Sequence, residues 1–195
     1  MPELPKIVLA SSSPYRKALL QRLRLTFEVT SPDIDERRLP DEPVDELVIR
    51  LAAGKAGAAA ERHPQALIIG SDQVAMLAST VLGKPGNREN AKKQLQLMRA
   101  NTVSFVTGLC LLNAASGHHQ SAIVTYRVSF RNYSDSEIER YLDIDNPYDC
   151  AGSFKSEQMG IALIERMEGD DPAALMGLPL IKLAEMLRNE RVPLP

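Results

Sequence analysis

The segment Lys6–Arg16, with the sequence KIVLASSSPYR, constrains the fold more than any other part of the chain. Its apolar residues 7–10 have strand character, and three serines and Pro14 follow them directly. Proline suits the first position of a helix, because its missing N–H would have no partner there. Ser13 then stands at the N-cap, where its hydroxyl can accept from a free backbone N–H. The sequence therefore predicts a strand, a short polar turn and the start of a helix.

This turn has the properties of an anion site. The free N–H groups at a helix start point outward at the positive end of the helix dipole, and phosphate is the anion most often bound there. Arg16, in the first turn of the helix, adds a forked donor that suits phosphate oxygens. The alternative interpretation is a well-capped helix without a ligand, because capping serines are common.

Charge and composition limit the kinds of partner. The chain has 195 residues, a net charge of −2 and no block of Lys and Arg, so general affinity for nucleic acid is not expected. The apolar runs are too short to span a membrane, and the N-terminus lacks the pattern of a secretory signal. Cys110 and Cys150 lie in apolar contexts, which favours reduced thiols. We expect a cytoplasmic protein that has no membrane partner and binds an anionic ligand through a local cluster of cations.

A helix is predicted from about Val44 to Arg62, with an apolar face that includes Leu47 and Leu51. Lys55 occupies the next position on that face, four residues after Leu51. Lysines on apolar faces often extend past the core so that the ammonium reaches solvent. The alternative is that this ammonium enters a cleft next to the core.

Asp72 belongs to a run of buried-strand character, residues 67–74, that ends in polar residues. A carboxylate directly after such a run is expected at the end of a strand, which is where ligands bind in open α/β sheets. The alternative is a turn former or a helix cap, and this alternative is weakened because no helix signal follows closely. Further along, Gly83–Gly86 predicts a rigid turn that presents Lys84.

The rest of the chain predicts further helices and strands. A helix is expected over residues 87–98, a long hairpin from residues 103–113 and 122–130, a capped helix over 134–142 and a last helix over 179–188. A loop with glycine and serine, residues 150–157, carries Lys155 and Glu157. The three histidines have no spacing typical of metal ligands, and neither a P-loop, a dinucleotide-binding glycine motif nor a GxSxG elbow occurs.

Cations and carboxylates of this kind suit a polyphosphate. The cations neutralise phosphate charge, the carboxylates hold a divalent metal, and one carboxylate orients or deprotonates a water molecule. The group comprises Ser13, Arg16, Glu36, Lys55, Asp72, Lys84 and Lys155. Together these residues indicate a hydrolase or a binder of a nucleoside triphosphate.

The same motifs resemble those of the Maf family of nucleotide pyrophosphatases. They are LASSSPYRKALLQRL, the PDIDE loop that ends in Glu36, IIGSDQV, GKP, GSFKSEQMGI and DPAALMGLPL, in that order through nearly the whole chain. The resemblance implies a single α/β domain over residues 1–195, with an elongated mixed sheet flanked by helices and a cleft between two lobes. It also implies a homodimer that depends on a divalent metal, Mg²⁺ or Mn²⁺, and cleaves between the α- and β-phosphates of a nucleotide.

The resemblance assigns roles to individual positions. Asp72 matches the carboxylate that serves as general base and helps to hold the metal, and Glu36 matches an acidic position near that metal. The positions that match phosphate contacts are Ser13, Arg16, Lys55, Lys84 and Lys155.

Three positions depart from the family branch that prefers thymidine and uridine triphosphates. Tyr15, Gln73 and Glu157 stand where that branch has arginine, threonine and glutamine, and this pattern resembles the YceF-type branch, which acts on 7-methyl-GTP. N7-methylguanine is a cation, so an aromatic ring can bind it through a cation–π interaction. Glu157 could accept from the N1–H and the amino group of guanine, and Gln73 could bind an exocyclic oxygen.

Other functions fit the same residues. One is a broader hydrolase of purine triphosphates, or of dTTP and UTP. Another is a nucleotide-sensing regulator of cell division, in which hydrolysis is incidental. The leading hypothesis is a pyrophosphatase that hydrolyses 7-methyl-GTP, keeps modified nucleotides out of nucleic acid and has a role in cell-division arrest.

Overall fold

A computed structural model of the chain describes residues 5–195. The prediction that the N-terminus carries no secretory signal also involves residues 1–4, which lie outside the described part. The strands are β1 (Ile7–Ala10), β2 (Phe27–Thr30), β3 (Leu67–Leu77), β4 (Thr80–Leu82), β5 (Thr102–Asn113), β6 (His119–Phe130) and β7 (Ile164–Glu168). The α-helices are α1 (Pro14–Gln21), α2 (Val44–Ala60), α3 (Arg88–Met98), α4 (Asp135–Asp145) and α5 (Leu180–Asn189). Short 3₁₀ helices cover Ala151–Ser153, Met159–Leu163 and Pro172–Met176.

The strands form one mixed sheet of seven strands in the order β2-β1-β3-β5-β6-β7, with β4 paired to β3. β1 runs parallel to both β2 and β3, with Ile7 opposite Phe27 on one side and Leu67 on the other. The pairs β3–β4 and β6–β7 are antiparallel. The prediction of an α/β protein with a mixed sheet and flanking helices is therefore confirmed.

The chain divides into two compact units. The first unit comprises residues 1–72, 107–124 and 171–195, and the second comprises 73–106 and 125–170. Three strands, β3, β5 and β6, contribute residues to both units. The prediction that residues 1–195 form one domain stays a prediction.

The core of the first unit follows from the alternation of side chains along its strands. Successive residues of a strand point to opposite faces of a sheet, and every residue of β1 is buried. One hydrophobic cluster contains Ile7, Leu9, Leu67 and Ile69 with residues of α1 and α5, and a second contains Val8, Ala10 and Ile68 with alanines of α2. Apolar residues on both faces explain why these strands appear in the sequence as continuous apolar runs.

Aromatic rings form part of the core of the second unit. Phe130 contacts Phe154 and Tyr133 edge to face, with ring centroids 5.1 Å and 6.4 Å apart. The Tyr133 hydroxyl donates to the carbonyl of Leu95 in α3 at 2.7 Å. Burial raises the pKa of this phenol well above its usual value.

The predicted helix starts are confirmed in detail. Ser13 caps α1, with Pro14 in the first turn, and Ser134 and Glu137 form a reciprocal capping box at α4. α2 and α5 lie within two residues of their predicted limits. α4 continues three residues beyond the predicted end at Leu142, up to Asn146, which takes the left-handed conformation.

Other predictions were wrong or incomplete. Asp72 does not stand at the end of a strand, because β3 continues to Leu77. Its last residues pair with β4, with Ala75 opposite Leu82, and this hairpin extends the strand past the polar positions. β4, β7 and the short 3₁₀ helices were not predicted, because segments of three to five residues carry too little periodicity.

Across residues 5–195, no helix has the length and apolarity needed to cross a bilayer.

Candidate active site

Asp72 and Lys55 form a buried ion pair in the first unit. Lys55 Nζ donates to Asp72 Oδ1 at 2.7 Å. The side chains of Lys55 and Asp72 are only 7% and 11% exposed, so the ammonium does not extend to bulk solvent. Of the two interpretations of Lys55, the structure therefore favours the one in which the ammonium turns inward beside the core.

Small residues bring α2 close enough to β3 for this pair to form. Gly70 lies two residues before Asp72, and a Cβ at this position would overlap the carbonyl oxygen of Ala52 and contact the backbone of Ala56. A glycine here permits the backbone of the helix to approach the strand directly. Gly108 in β5 permits the same close approach, because a Cβ there would overlap the carbonyl oxygen of Val48 in α2. The sequence thus fixes the short distance that a lysine needs to reach the carboxylate.

Glu36 contacts the same ammonium. Its Oε1 lies 2.9 Å from Lys55 Nζ, and its side chain is 58% exposed. An ammonium has three N–H donors, so binding to Asp72 and Glu36 uses two of them. One lysine therefore joins the two carboxylates that the sequence assigned to the metal and to the base.

Glu42 holds the loop that carries Glu36. Arg50 of α2 donates to both carboxylate oxygens of Glu42, with Nε–Oε1 and Nη2–Oε2 distances of 2.5 Å and 2.8 Å, and the backbone N–H of Leu39 donates to Oε2 at 3.0 Å. These interactions, that with Arg50 first, lower the pKa of Glu42 to about 2. The segment between β2 and α2 thus has a charged anchor although it contains no helix or strand.

The start of α1 has the geometry that the sequence predicted. The Ser13 hydroxyl accepts from the backbone N–H of Arg16 at 3.3 Å. The Arg16 side chain is half-buried, and its Nε donates to the carbonyl of Gly177 at 2.8 Å. Burial lowers the pKa of the Arg16 guanidinium, while the charges of Asp72 and Glu36 oppose that shift. Arg16 therefore lies within the electrostatic influence of both carboxylates.

Two further predicted site residues, Ser13 for phosphate binding and Tyr15 for substrate specificity, also lie in this part of the chain. Tyr15 in α1 is half-buried, and Ser13 is likewise half-buried at the cap. Both lie in the first unit with Arg16, Glu36, Lys55 and Asp72. The first unit thus contains six of the ten predicted site residues.

The other four predicted site residues lie in the second unit: Gln73, Lys84, Lys155 and Glu157. Gln73 is half-buried in β3, and Lys84 is exposed in the irregular segment between β4 and α3. Glu157 is exposed in a turn before the second 3₁₀ helix. The loop predicted at Glu157 is confirmed, whereas the turn predicted at Lys84 is replaced by an irregular segment in which the N–H of Gly86 donates to the carbonyl of Tyr148.

Lys155 is held by its neighbours within the second unit. Its Nζ donates to the carbonyl of Asp145 at 2.9 Å, and its backbone N–H donates to the Tyr141 hydroxyl at 3.0 Å. The carboxylate of Asp145 accepts from the backbone N–H of Gly160 at 3.2 Å. A Cβ on Gly160 would overlap the carbonyl of Lys155, so the chain needs a glycine at this close approach. The Lys155 ammonium is therefore held by the carbonyl of Asp145, the last residue of α4.

The two predicted metal ligands, Asp72 and Glu36, both lie beside the Lys55 ammonium. Within residues 5–195, no group of three or more His, Cys, Asp or Glu side chains could hold a metal ion. Magnesium is usually bound through one or two carboxylates together with substrate phosphates, and not by a cage of protein groups alone. Asp72 and Glu36 supply such a pair of carboxylates, 2.7 Å and 2.9 Å from one ammonium.

Sequence reasoning missed three residues that support this arrangement. Ser71 precedes Asp72 and is fully buried, Asp171 caps the 3₁₀ helix before α5, and Gly177 follows that helix. The signals were present, because Asp-Pro is typical of a helix start and a glycine of a helix end. Their contact with the site depends on folding and has no local signature.

The comparisons with known proteins agree with these observations. A family model described as "Maf-like protein" matches residues 6–190. A protein of Nitrosospira multiformis is 56% identical over 187 residues, which cover 96% of this chain and 94% of the relative. A protein of Cupriavidus pinatubonensis is 54% identical over 190 residues (97% and 96%), and one of Pseudomonas aeruginosa is 52% identical over 192 residues (98% and 100%). All three relatives are named 7-methyl-GTP pyrophosphatase.

Proposed function

Since this chain belongs to the Maf family, we propose that it is a nucleoside triphosphate pyrophosphatase that hydrolyses 7-methyl-GTP to 7-methyl-GMP and pyrophosphate. The similarity extends over nearly the full length of relatives with that name, at 52–56% identity. Hydrolysis of this nucleotide would keep a modified base out of nucleic acid. The observation that supports the proposal most directly is the ammonium of Lys55, which joins the carboxylates of Asp72 and Glu36.

Asp72 serves as the general base in the proposed reaction. Lys55 donates to Oδ1, which fixes the carboxylate plane. We assign the other oxygen, Oδ2, to the proton of the attacking water. As the water oxygen bonds to the α-phosphorus, the bond to the bridging oxygen breaks and pyrophosphate leaves. A positioned base of this kind contributes about 10²–10⁴-fold to the rate.

The cations of the first unit bind the phosphates. Within residues 5–195, Lys55 uses two of its N–H donors on Asp72 and Glu36, and Arg16 uses Nε on Gly177, so we assign the third donor of Lys55 and the Nη groups of Arg16 to phosphate oxygens. They stabilise the negative charge that grows on the leaving pyrophosphate. For Lys84 and Lys155 of the second unit, contact with phosphate stays a prediction from the sequence. A divalent metal held by Asp72 and Glu36 would supply further charge neutralisation when bound.

Base recognition is assigned to Tyr15, Gln73 and Glu157. A cationic 7-methylguanine ring gains about 0.5–2 kcal/mol against an aromatic face, depending on desolvation. The carboxylate of Glu157 accepts from two guanine donors, whereas uracil and thymine offer a single N–H on the corresponding edge. The chemistry therefore favours a cationic purine over a pyrimidine.

Pyrophosphate release from a panel of triphosphates tests the proposal. We expect kcat/KM for 7-methyl-GTP to exceed that for GTP, dTTP and UTP, and chelation of divalent metal to abolish turnover until Mg²⁺ or Mn²⁺ is restored. Glu157→Gln should lower kcat/KM for 7-methyl-GTP by about tenfold relative to UTP, since a charge-assisted hydrogen bond is weakened.

A matched control is Glu165→Gln, which changes an exposed glutamate of β7 in the same unit. This variant should keep the wild-type preference among the triphosphates. Faster turnover of dTTP or UTP than of 7-methyl-GTP by the wild-type enzyme would contradict the assigned substrate. Full turnover in the presence of chelator would contradict the role of a metal.

A further inference from the structure

The carbonyl oxygen of Gly177 accepts hydrogen bonds from two side chains of the first unit. It accepts from Arg16 Nε at 2.8 Å and from the Ser71 hydroxyl at 2.9 Å. Arg16 lies in the first turn of α1, and Ser71 precedes Asp72 in β3. One backbone group thus links the start of the helix to the strand residue next to the carboxylate.

The turn that carries this carbonyl is fixed by its own hydrogen bonds. The buried carboxylate of Asp171 accepts from the backbone N–H of Ala173 at 3.1 Å and from that of Ile181 at 2.7 Å. The hydroxyl of Thr107 donates to the carbonyl of Ala174 at 3.1 Å. Anchors at both ends and in the middle make the segment 171–177 a rigid support for Gly177.

Gly177 is required for two physical reasons. Its φ is +89°, a backbone conformation that side chains with a Cβ rarely adopt. A Cβ added there would also lie 3.2 Å from Arg16 Nε and 3.4 Å from Nη2. The guanidinium therefore packs directly against the Cα of this glycine, and a larger residue would push it aside.

The Ser71 hydroxyl has only one hydrogen but two carbonyl neighbours. Its Oγ is 2.9 Å from the oxygens of both Gly108 and Gly177. Because Arg16 Nε also donates to Gly177, the two donors together satisfy the two carbonyls. Loss of either donor leaves a buried acceptor with a weaker partner, which is unfavourable.

We propose that Ser71 and Gly177 are positioning residues for Arg16. The Gly177 carbonyl accepts from Nε, and the Ser71 hydroxyl bonds to the same carbonyl and holds it in place. The plane of the guanidinium is thereby fixed, so that the Nη groups are presented to the phosphates in one orientation. This inference rests on the proposed function, in which Arg16 contacts the triphosphate. It assigns to the segment DPAALMGLPL a role that neither motif nor composition indicated.

Steady-state kinetics of Gly177→Ala, Ser71→Ala and Arg16→Ala, alone and in combination, test the proposal. We expect Gly177→Ala to lower kcat/KM by about 10-fold to 100-fold, because small displacements of positioning groups have effects of this size. Ser71→Ala should lower it by roughly fivefold. In an Arg16→Ala background each change should cost less than about twofold, since both act through the same guanidinium.

The division between KM and kcat separates positioning from misfolding. A displaced guanidinium should raise KM by about threefold or more, whereas loss of folded enzyme lowers apparent kcat and leaves KM unchanged. Gly117→Ala is a matched control, because Gly117 has φ +75° with open space around its Cα and lies in the same unit. Gly117→Ala should lower the stability of the fold through its positive φ and keep the wild-type KM.

The outcomes distinguish the inference from the proposed function. If Arg16→Ala leaves kcat/KM unchanged, the role of Arg16 in the proposed function fails. If Arg16→Ala is impaired but Gly177→Ala and Ser71→Ala keep the wild-type KM, or their effects add to that of Arg16→Ala, the positioning inference alone is overturned. Should Gly177→Ala fail to fold, Ser71→Ala and its combination with Arg16→Ala decide the matter.

Discussion

The carboxylate of Asp72 is buried, and Lys55 lies beside it at 2.7 Å. A buried charge is tolerated when it is paired and hydrogen-bonded. A largely buried strand can therefore carry an aspartate in its middle, which the sequence pattern alone did not predict. At the scale of the residue, the ion pair links the stability of the first unit to its proposed chemistry.

Asp72→Asn should separate chemistry from stability. The amide keeps the size of the side chain and an oxygen that accepts from Lys55, but it cannot take a proton from water. We expect kcat to fall by about 10²–10⁴-fold, while the thermal unfolding midpoint falls less than in Lys55→Met, because Glu36 still pairs with the Lys55 ammonium. The measurement is pyrophosphate release together with a thermal melt.

An exposed aspartate serves as the control for this prediction. Asp45→Asn removes a carboxylate at the start of α2 and should keep the wild-type rate. A rate for Asp72→Asn within threefold of the wild type would rule out Asp72 as the base.

Lys55→Met should destabilise the fold, because it leaves Asp72 buried without its cation. Removal of one partner of a buried pair lowers the free energy of unfolding by about 3–5 kcal/mol. Adding Asp72→Asn to this variant should restore part of the loss, since the uncompensated charge is then gone. Urea denaturation of the single and double variants measures both effects, and a double variant no more stable than Lys55→Met would contradict this explanation.

At the scale of the element, the segment between β2 and α2 shows how a loop can be positioned without secondary structure. Glu42 binds Arg50 and the backbone of Leu39, and the carbonyl of Glu42 accepts from Arg38. These contacts fix the loop six residues after Glu36. The position of Glu36 next to Lys55 thus depends on charges that lie outside the proposed site.

The low pKa of Glu42 predicts a pH dependence of stability. Its folded pKa is about 2 and its ordinary value is 4.5, so the unfolded chain binds more protons between these pH values. The stabilisation from Glu42 is therefore fully present above the ordinary pKa and is lost as the pH falls towards 2. Glu42→Gln should unfold more easily than the wild type at pH 7, and the difference should shrink steadily below pH 4.5.

Unfolding midpoints in urea from pH 7 to acid measure this difference. Glu46→Gln is the matched control, because Glu46 is an exposed glutamate at the start of α2. Its difference from the wild type should stay small at every pH. A Glu42→Gln curve parallel to that of the wild type across the acidic range would contradict the role of the Arg50 pair.

At the scale of the whole molecule, three strands contribute to both compact units. If such a strand loses its pairing in one unit, its residues in the other unit are destabilised as well. We therefore expect one cooperative unfolding transition. Four of the five tyrosines lie in the second unit, and the chain has no tryptophan. Tyrosine absorbance therefore reports mainly on the second unit, while far-UV circular dichroism reports on the helices of both.

The two signals should give coincident urea transitions, as a two-state protein requires. Tyr15→Phe is a useful control, because it removes the one tyrosine of the first unit and makes the phenol signal specific to the second. Two separated transitions would contradict the prediction of a single domain over residues 1–195.

Much of this protein is determined by its sequence at short range. Ser13 and Pro14 set the start of α1, Ser134 and Glu137 set that of α4, and the apolar runs set β1 and β3, because caps and periodicity depend on neighbours a few residues away. The residue types of the site and the family were also evident there. The tertiary structure alone decided that Lys55 joins Asp72 and Glu36, and that Gly177 holds Arg16, 161 residues away in the chain. Contacts over such separations leave no local pattern, since they depend on how the strands and helices pack, and packing is a property of the folded chain.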